Sequence, residues 1–92
     1  MTDEIQILQM PPFKRAYKRL HPNQRQIVDN AIRTIVVNPE IGQPKKGNLD
    51  SVYVHKFPCL DKQMLLAYEW NPTTRLLLAL GVHENFYRNL KK

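Results

Sequence analysis

The chain has 92 residues, 42% of them hydrophobic and 24% charged, with fourteen Lys and Arg against eight Asp and Glu for a formal charge of +6. That length suits one domain, residues 1–92, with a core that folds unaided and no room for a separate substrate domain; no apolar run approaches the roughly 18 residues of a membrane span, and the lone Cys59 excludes an internal disulfide. The positive balance points to a polyanion, nucleic acid first, or to an acidic protein partner.

The opening residues Met1-Thr2-Asp3-Glu4 are acidic and carry no signal-peptide apolar region, so a reducing cytoplasm is expected. Glu4 to Met10 begins with polar-apolar alternation and reads as a short strand, broken by Pro11 and Pro12. The prolines open a first helix in which Phe13, Ala16, Tyr17 and Leu20 recur at i, i+3, i+4 and i+7. Lys14, Arg15, Lys18 and Arg19 fall on its opposite face, either a solvated charge run or a surface for phosphate.

After His21-Pro22, Asn23 with Gln26 three residues later resembles a capping box opening a second helix. Ile27, Val28, Ala31, Ile32, Ile35 and Val36 form its apolar stripe, with Arg25, Asp29, Asn30 and Arg33 facing out, until Asn38-Pro39 ends it. The two helices should pair as an antiparallel hairpin with His21 in the turn. Glu40 to Asp50 reads as a loop.

Three strands follow: Ser51 to Phe57, Gln63 to Glu69 and Arg75 to Leu80, separated by the turn segments Pro58 to Lys62 and Asn71 to Thr74. The expected architecture is α+β: an N-terminal strand, a helical hairpin and a three-stranded antiparallel meander in one twisted sheet, then a C-terminal helix. Alternation puts Val52, Val54 and Lys56 on one face of the first meander strand and Tyr53, His55 and Phe57 on the other, and leaves open which face the helices cover. Tyr68 and Trp70 are either stacking surfaces or core.

In the terminal helix His83 and Tyr87 lie one turn apart, beside the apolar pair Phe86 and Leu90, while Glu84 and Arg88 form an exposed i,i+4 pair. An imidazole and a phenol held at a core edge can serve as a proton-transfer pair, or can simply snorkel there. Cys59 follows a proline with no base near it in sequence, so it is not read as a nucleophile. His21, His55 and His83 lack metal-ligand spacing, and neither a metal nor another cofactor is expected.

The order of elements, the basic first helix, Gly47-Asn48-Leu49-Asp50 before a strand, Leu65-Leu66-Ala67-Tyr68, and the run Leu80-Gly81-Val82-His83-Glu84-Asn85-Phe86-Tyr87 together resemble the RelE/ParE toxin superfamily. The most specific element, Gly81-x-His83-x-x-x-Tyr87, is similar to the YafQ-type and RelE-type nucleases, in which a terminal His or Arg and an aromatic residue serve RNA cleavage. The resemblance implies a toxin of a bacterial type II toxin-antitoxin pair that enters the ribosomal A site and cuts messenger RNA without metal. On that reading His83 is base or acid, Tyr87 orients the base or stacks on a nucleobase, and Lys56 or Arg88 stabilises phosphate, with His55 a second proton-transfer candidate.

On the same reading Lys14, Arg15, Lys18, Arg19, Lys45, Lys46, Lys91 and Lys92 are expected as RNA or ribosome anchors. Departures from the family pattern are specific. Leu65 or Leu66 stands where RelE-type enzymes carry an arginine, Lys56 alone answers to their lysine pair, and YafQ-type enzymes carry more histidines than His55 supplies. The alternative on the same fold is a ParE-like toxin that poisons DNA gyrase by binding. A plain RNA-binding module is disfavoured because no aromatic-interleaved recognition motif is present. Any toxin reading implies an antitoxin whose acidic or amphipathic segment covers the sheet and the basic surface.

Overall fold

The computed structural model describes residues 4–45 and 51–82. The first strand, β1 (Gln6–Gln9), gives way at Met10 to helix α1 (Pro11–Lys18), with the prolines in its first turn, where a missing N–H costs nothing. Helix α2 (Pro22–Val37) begins two residues earlier than Asn23 implies. Its N-cap is His21, whose backbone N–H donates to Gln24 Oε1 at 2.9 Å, because Pro22 is already suited by its fixed φ to the first helical position. Lys14, Arg15, Lys18 and Arg19 are all exposed, as the helical period requires.

The helices meet near their turn. Tyr17 donates from its hydroxyl to Asp29 Oδ1 at 2.8 Å, Arg25 Nη2 donates to the Lys18 carbonyl at 3.3 Å, and the Arg25 guanidinium lies 5.9 Å from the centre of the Tyr17 ring. Arg25 and Asp29, read from periodicity as outward-facing, therefore stand at the helix-helix contact. Their long polar ends reach a neighbour that the helical wheel of α2 alone does not contain.

The segment after α2 is not all loop. A 3-10 turn, Pro39–Ile41, leads into β2 (Gln43–Pro44), which pairs antiparallel with β3 (Tyr53–Cys59) through Gln43 opposite Val54 and Pro44 opposite Tyr53. Two residues cannot show a strand period, so this edge was invisible in the sequence. Strands β4 (Lys62–Asn71) and β5 (Thr74–Val82) complete a five-stranded sheet in the order β1-β5-β4-β3-β2, with β3, β4 and β5 as the antiparallel meander and β1 parallel to β5. The first hairpin is tighter than its sequence implies. Pro58 and Cys59 belong to β3, Cys59 is buried in the core, and Leu60-Asp61 make the turn with Leu60 at φ 60°. Pro58 is tolerated because the outer side of β3 is unpaired there among the described residues.

Both helices cover one face of the sheet. The main core joins Phe13, Val28, Ala31 and Ile35 from the helices to Phe57, Cys59, Met64, Leu66, Tyr68, Leu77 and Leu80 from the strands. A smaller cluster of Val52, Val54, Leu65 and Ala67 occupies the opposite face, with Leu78 and Ala79 packed against it. A β-bulge lets β5 serve both. Ala67 pairs with Ala79 but Tyr68 with Leu77, so Leu78 is the additional residue and Leu77 and Leu80 reach the same core across an odd spacing. A strand that contributes apolar residues to two faces reads as a nearly unbroken apolar run.

Tyr68 is core, not a stacking platform. Fully buried, it donates to the Pro39 carbonyl at 2.6 Å and accepts from the Gly42 N–H at 3.1 Å, which ties the 3-10 turn and β2 to the middle of the sheet. A Cβ on Gly42 would collide with the Tyr68 hydroxyl. Tyr68→Phe is expected to cost about 1–3 kcal/mol, because it strands a part-buried carbonyl and a buried N–H; equilibrium urea unfolding measures it, and a loss within error would show that neither bond contributes to stability.

Candidate functional site

Lys56 stands on the face of β3 that carries Val52 and Val54, away from the helices. It is exposed and makes no hydrogen bond or ion pair among the described residues. His55, its neighbour, points to the helical side, half-buried, with its ring stacked on Phe57 at 5.5 Å between centres and 26° between planes. The question left open by alternation is thereby answered. The two side chains lie on opposite faces, so one phosphate cannot meet both directly.

Register fixes what lies beside Lys56. Leu65 is opposite it on β4, and Gly81 is opposite Leu65 on β5. The row crosses two strand spacings, roughly 10 Å, and Gly81 precedes His83 by two residues in sequence. His83, Tyr87, Arg88, Lys91 and Lys92, the terminal helix that was to carry them, and Lys46 with the Gly47 to Asp50 segment lie outside the described residues.

Where β2 ends, a pocket of about 460 Å³ opens beside β3, lined by Ile41, Gly42, Gln43, Pro44, Val54, His55 and Lys56. Gln43 and Gly42 were missed as lining residues. They reach β3 only because Tyr68 anchors the preceding turn from below, a contact 26 residues away in sequence that no local pattern signals. Lys45, half-buried, continues the β2 pairing through its N–H to the Val52 carbonyl at 2.9 Å. The cations of α1 are not part of this site. Phe13 of α1 packs into the helix-side core, so Lys14, Arg15, Lys18 and Arg19 lie on the far side of the sheet from Lys56.

Burial pushes the pKa of His55 below its ordinary 6.5, since removing water disfavours the imidazolium. The unfolded chain then binds more protons than the folded one in the window below 6.5, so stability present above that pH is lost as the pH falls through the folded value. Urea midpoints measured from pH 7.5 down to 5 are expected to fall more steeply for wild type than for His55→Gln. Parallel curves would show that His55 is as well solvated folded as unfolded. Burial likewise raises the Cys59 thiol, making it a poor nucleophile at neutral pH.

Among the described residues no cluster of three or more His, Cys, Asp or Glu could hold a metal ion, and no helix is long and apolar enough to cross a membrane. What the described residues offer chemically is an exposed cation, Lys56, beside the apolar Val54 and Leu65 and at the rim of the pocket, able to meet an anion laid across this face.

Solved structures share this fold. The toxin-antitoxin complex RelBE of E. coli aligns with a TM-score of 0.71 at 13% identity, covering 87% of this chain and 98% of that one. The isolated E. coli toxin RelE aligns at 0.68 and 13%, covering 95% and 96%, and a YoeB/ParE toxin from Agrobacterium tumefaciens at 0.66 and 11%, covering 86% and 99%. No curated protein sequence matches the chain. A family model does, from residue 7 to residue 91, and its description is the ParE-like toxin of type II bacterial toxin-antitoxin systems. The RelE and YoeB/ParE structures share the fold, and a family match of that extent makes this chain a member of the ParE-like toxins of type II bacterial toxin-antitoxin systems, within the RelE/ParE superfamily.

Proposed function

We propose that this toxin inhibits translation as a ribosome-dependent, metal-independent messenger RNA endonuclease. The observation that carries the reading is the placement of Lys56, exposed on the helix-free face in one row with Leu65 and Gly81, two residues before His83. In this chemistry the RNA supplies the nucleophile. A 2′-OH attacks the adjacent phosphorus, the bond to the 5′-oxygen breaks, and the products are a 2′,3′-cyclic phosphate and a free 5′-OH. A base takes the 2′ proton, an acid protonates the leaving oxygen, and a cation stabilises the extra negative charge of the phosphorane.

His83 is assigned to proton transfer, Tyr87 to orienting it or stacking on a base, and Lys56 and Arg88 to the phosphorane charge. His55, on the other face, is the weaker candidate and would require the RNA to turn around the open edge of β3. Lys45, Lys46, Lys91 and Lys92 are assigned to backbone contacts, and the four cations of α1 to a separate anionic surface. A cognate antitoxin that neutralises the toxin by covering its sheet is part of the proposal, supported by the RelBE complex among the solved structures of this fold.

Gyrase poisoning is the second reading, favoured by the ParE-like description of the matching family and by the opposite faces taken by His55 and Lys56, which leave no acid-base pair within residues 51–82. One comparison separates the two. Toeprinting of a defined message on purified ribosomes, with wild type beside His83→Ala and Tyr87→Phe, is run in parallel with a gyrase supercoiling assay. A-site cuts that require ribosomes and fall at least roughly 100-fold in His83→Ala support the nuclease and its proton-transfer residue. Inhibited supercoiling with no cut message transfers the protein to the second reading.

A further inference from the structure

The outer edge of β3 is paired over only part of its length. The Lys45 N–H donates to the Val52 carbonyl at 2.9 Å, and along an antiparallel strand every second residue turns its backbone groups to the same side. Val52, Val54 and Lys56 therefore present theirs to the β2 side. The pairing of β2 with β3 ends at Gln43 opposite Val54, so the N–H and C=O of Lys56 have no strand beside them among the described residues. They face the pocket of about 460 Å³ that Lys56 lines.

Gln43 borders the same space. Standing opposite Val54, it shares the helix-free face with Lys56, one diagonal step away at roughly 7–8 Å, and its exposed side-chain amide makes no hydrogen bond among the described residues. Ile41, Pro44 and Val54 supply apolar walls. The wall formed by the turn is held in advance, since Tyr68 hydrogen-bonds both the Pro39 carbonyl and the Gly42 N–H, so filling the pocket costs little ordering. His55 also lines the pocket, but its ring is engaged with Phe57. An apolar slot with two donor-acceptor pairs and a cation at its rim suits a flat heterocycle attached to a phosphate.

We propose that this pocket holds one unstacked adenine of the message, and that Gln43 is the residue that selects it. The amino group of adenine lies between two ring acceptors, N1 and N7. The Lys56 backbone can donate to N1 and accept from the amino group, while the Gln43 amide donates to N7 and accepts the other amino proton. Guanine carries a carbonyl in place of that amino group and sets it against both acceptors, and cytosine and uracil have no acceptor corresponding to N7. The adjoining phosphate then lies within reach of the Lys56 ammonium, a contact that positions the strand without reading its sequence. The proposal deepens the nuclease reading and rests on it for the message as the source of the base; it adds a selecting residue that takes no part in the proton transfers.

The test has one arm without ribosomes and one with them. Isotope-labelled full-length protein is titrated with the homodinucleotides ApA, CpC, GpG and UpU up to about 10 mM and followed by amide chemical shifts. ApA is expected to shift Gln43 and Lys56 and to bind about tenfold more tightly than GpG. Gln43→Leu, at an exposed position whose side chain the fold does not use, is expected to remove that preference and leave CpC binding unchanged, whereas Lys56→Ala weakens all four alike. On programmed ribosomes the wild type is expected to cut A-site codons containing adenine about tenfold more often than codons without it, and Gln43→Leu to cut both at the lower rate. No binding, equal binding of the four, shifts that map away from the pocket, or an ApA preference that survives Gln43→Leu overturns the proposal. Cutting by wild type that is indifferent to adenine overturns it too, and leaves the nuclease reading standing. Adenine-selective binding by a protein that cuts nothing upholds the pocket as an adenine site and removes the nuclease reading alone.

Discussion

Arg75→Ala is expected to destabilise the protein by about 3–5 kcal/mol, the largest effect of any single truncation among the described residues. Arg75 is 4% exposed and makes no ion pair among the described residues; its partners there are backbone carbonyls. Nε donates to Ile35 at 3.2 Å and Nη2 to Val36 at 2.9 Å, while Nη1 donates to Asn71 at 2.7 Å and Thr74 at 2.9 Å. Ile35 and Val36 belong to the last turn of α2, where carbonyls have no intrahelical partner and the helix dipole is negative. α2 has no basic residue of its own in that turn, so β5 supplies the cation from across the core.

Alanine would leave these acceptors dry or force water into the core, and would also remove the guanidinium that lies 5.9 Å from the centre of the Trp70 ring. Arg75→Met, which keeps the stem but no donor, is expected to recover little. Arg75→Lys is expected to recover about half, since one ammonium has three donors and cannot span the helix end and the β4-β5 turn together. Circular dichroism during urea unfolding gives the three values. A loss below about 1 kcal/mol for alanine would mean that water replaces the guanidinium, leaving packing as what holds α2 to the sheet.

Lys56→Ala is expected to reduce ribosome-dependent cleavage by about 100- to 1,000-fold while leaving the thermal transition within about a degree of wild type. On the proposed nuclease reading the activity term is large because the cation would stabilise charge that develops only in the transition state, so its loss would appear in kcat as much as in kcat/KM. The stability term is small because Lys56 is exposed and pairs with nothing among the described residues. Lys56→Arg should retain most activity if the role is charge alone. Single-turnover cleavage on programmed ribosomes, at saturating toxin, separates chemistry from binding. An effect confined to KM would reassign Lys56 to RNA anchoring, and no effect at all would remove it from the site.

The contrast between these residues shows where sequence reasoning stops. Lys56 was legible because a cation in an alternating strand has to face one side or the other, and a period of two places it with Val52 and Val54. In the sequence Arg75 is simply the first residue of an apolar strand, and its importance comes from Ile35 and Val36, about forty residues away and contributed by another element. Tyr68 shows the same limit, since a tyrosine among Leu65, Leu66 and Ala67 is apolar pattern until Pro39 and Gly42 arrive at its hydroxyl.

The sequence by itself determined the α+β composition, both helices, the three meander strands, the exposed basic face of α1 and the superfamily. All of these rest on periodicity, on turn residues or on a local motif, which are carried by neighbours within a few positions along the chain. Only the tertiary structure decided that the helices cover the His55 face, that Lys56 and the α1 cations lie on opposite sides of the sheet, that Leu78 bulges, and that Gln43–Pro44 is a strand. These depend on register and on which of two apolar faces receives the helices. Each is set by the sum of contacts between segments distant along the chain, and a local pattern contains no record of its partner.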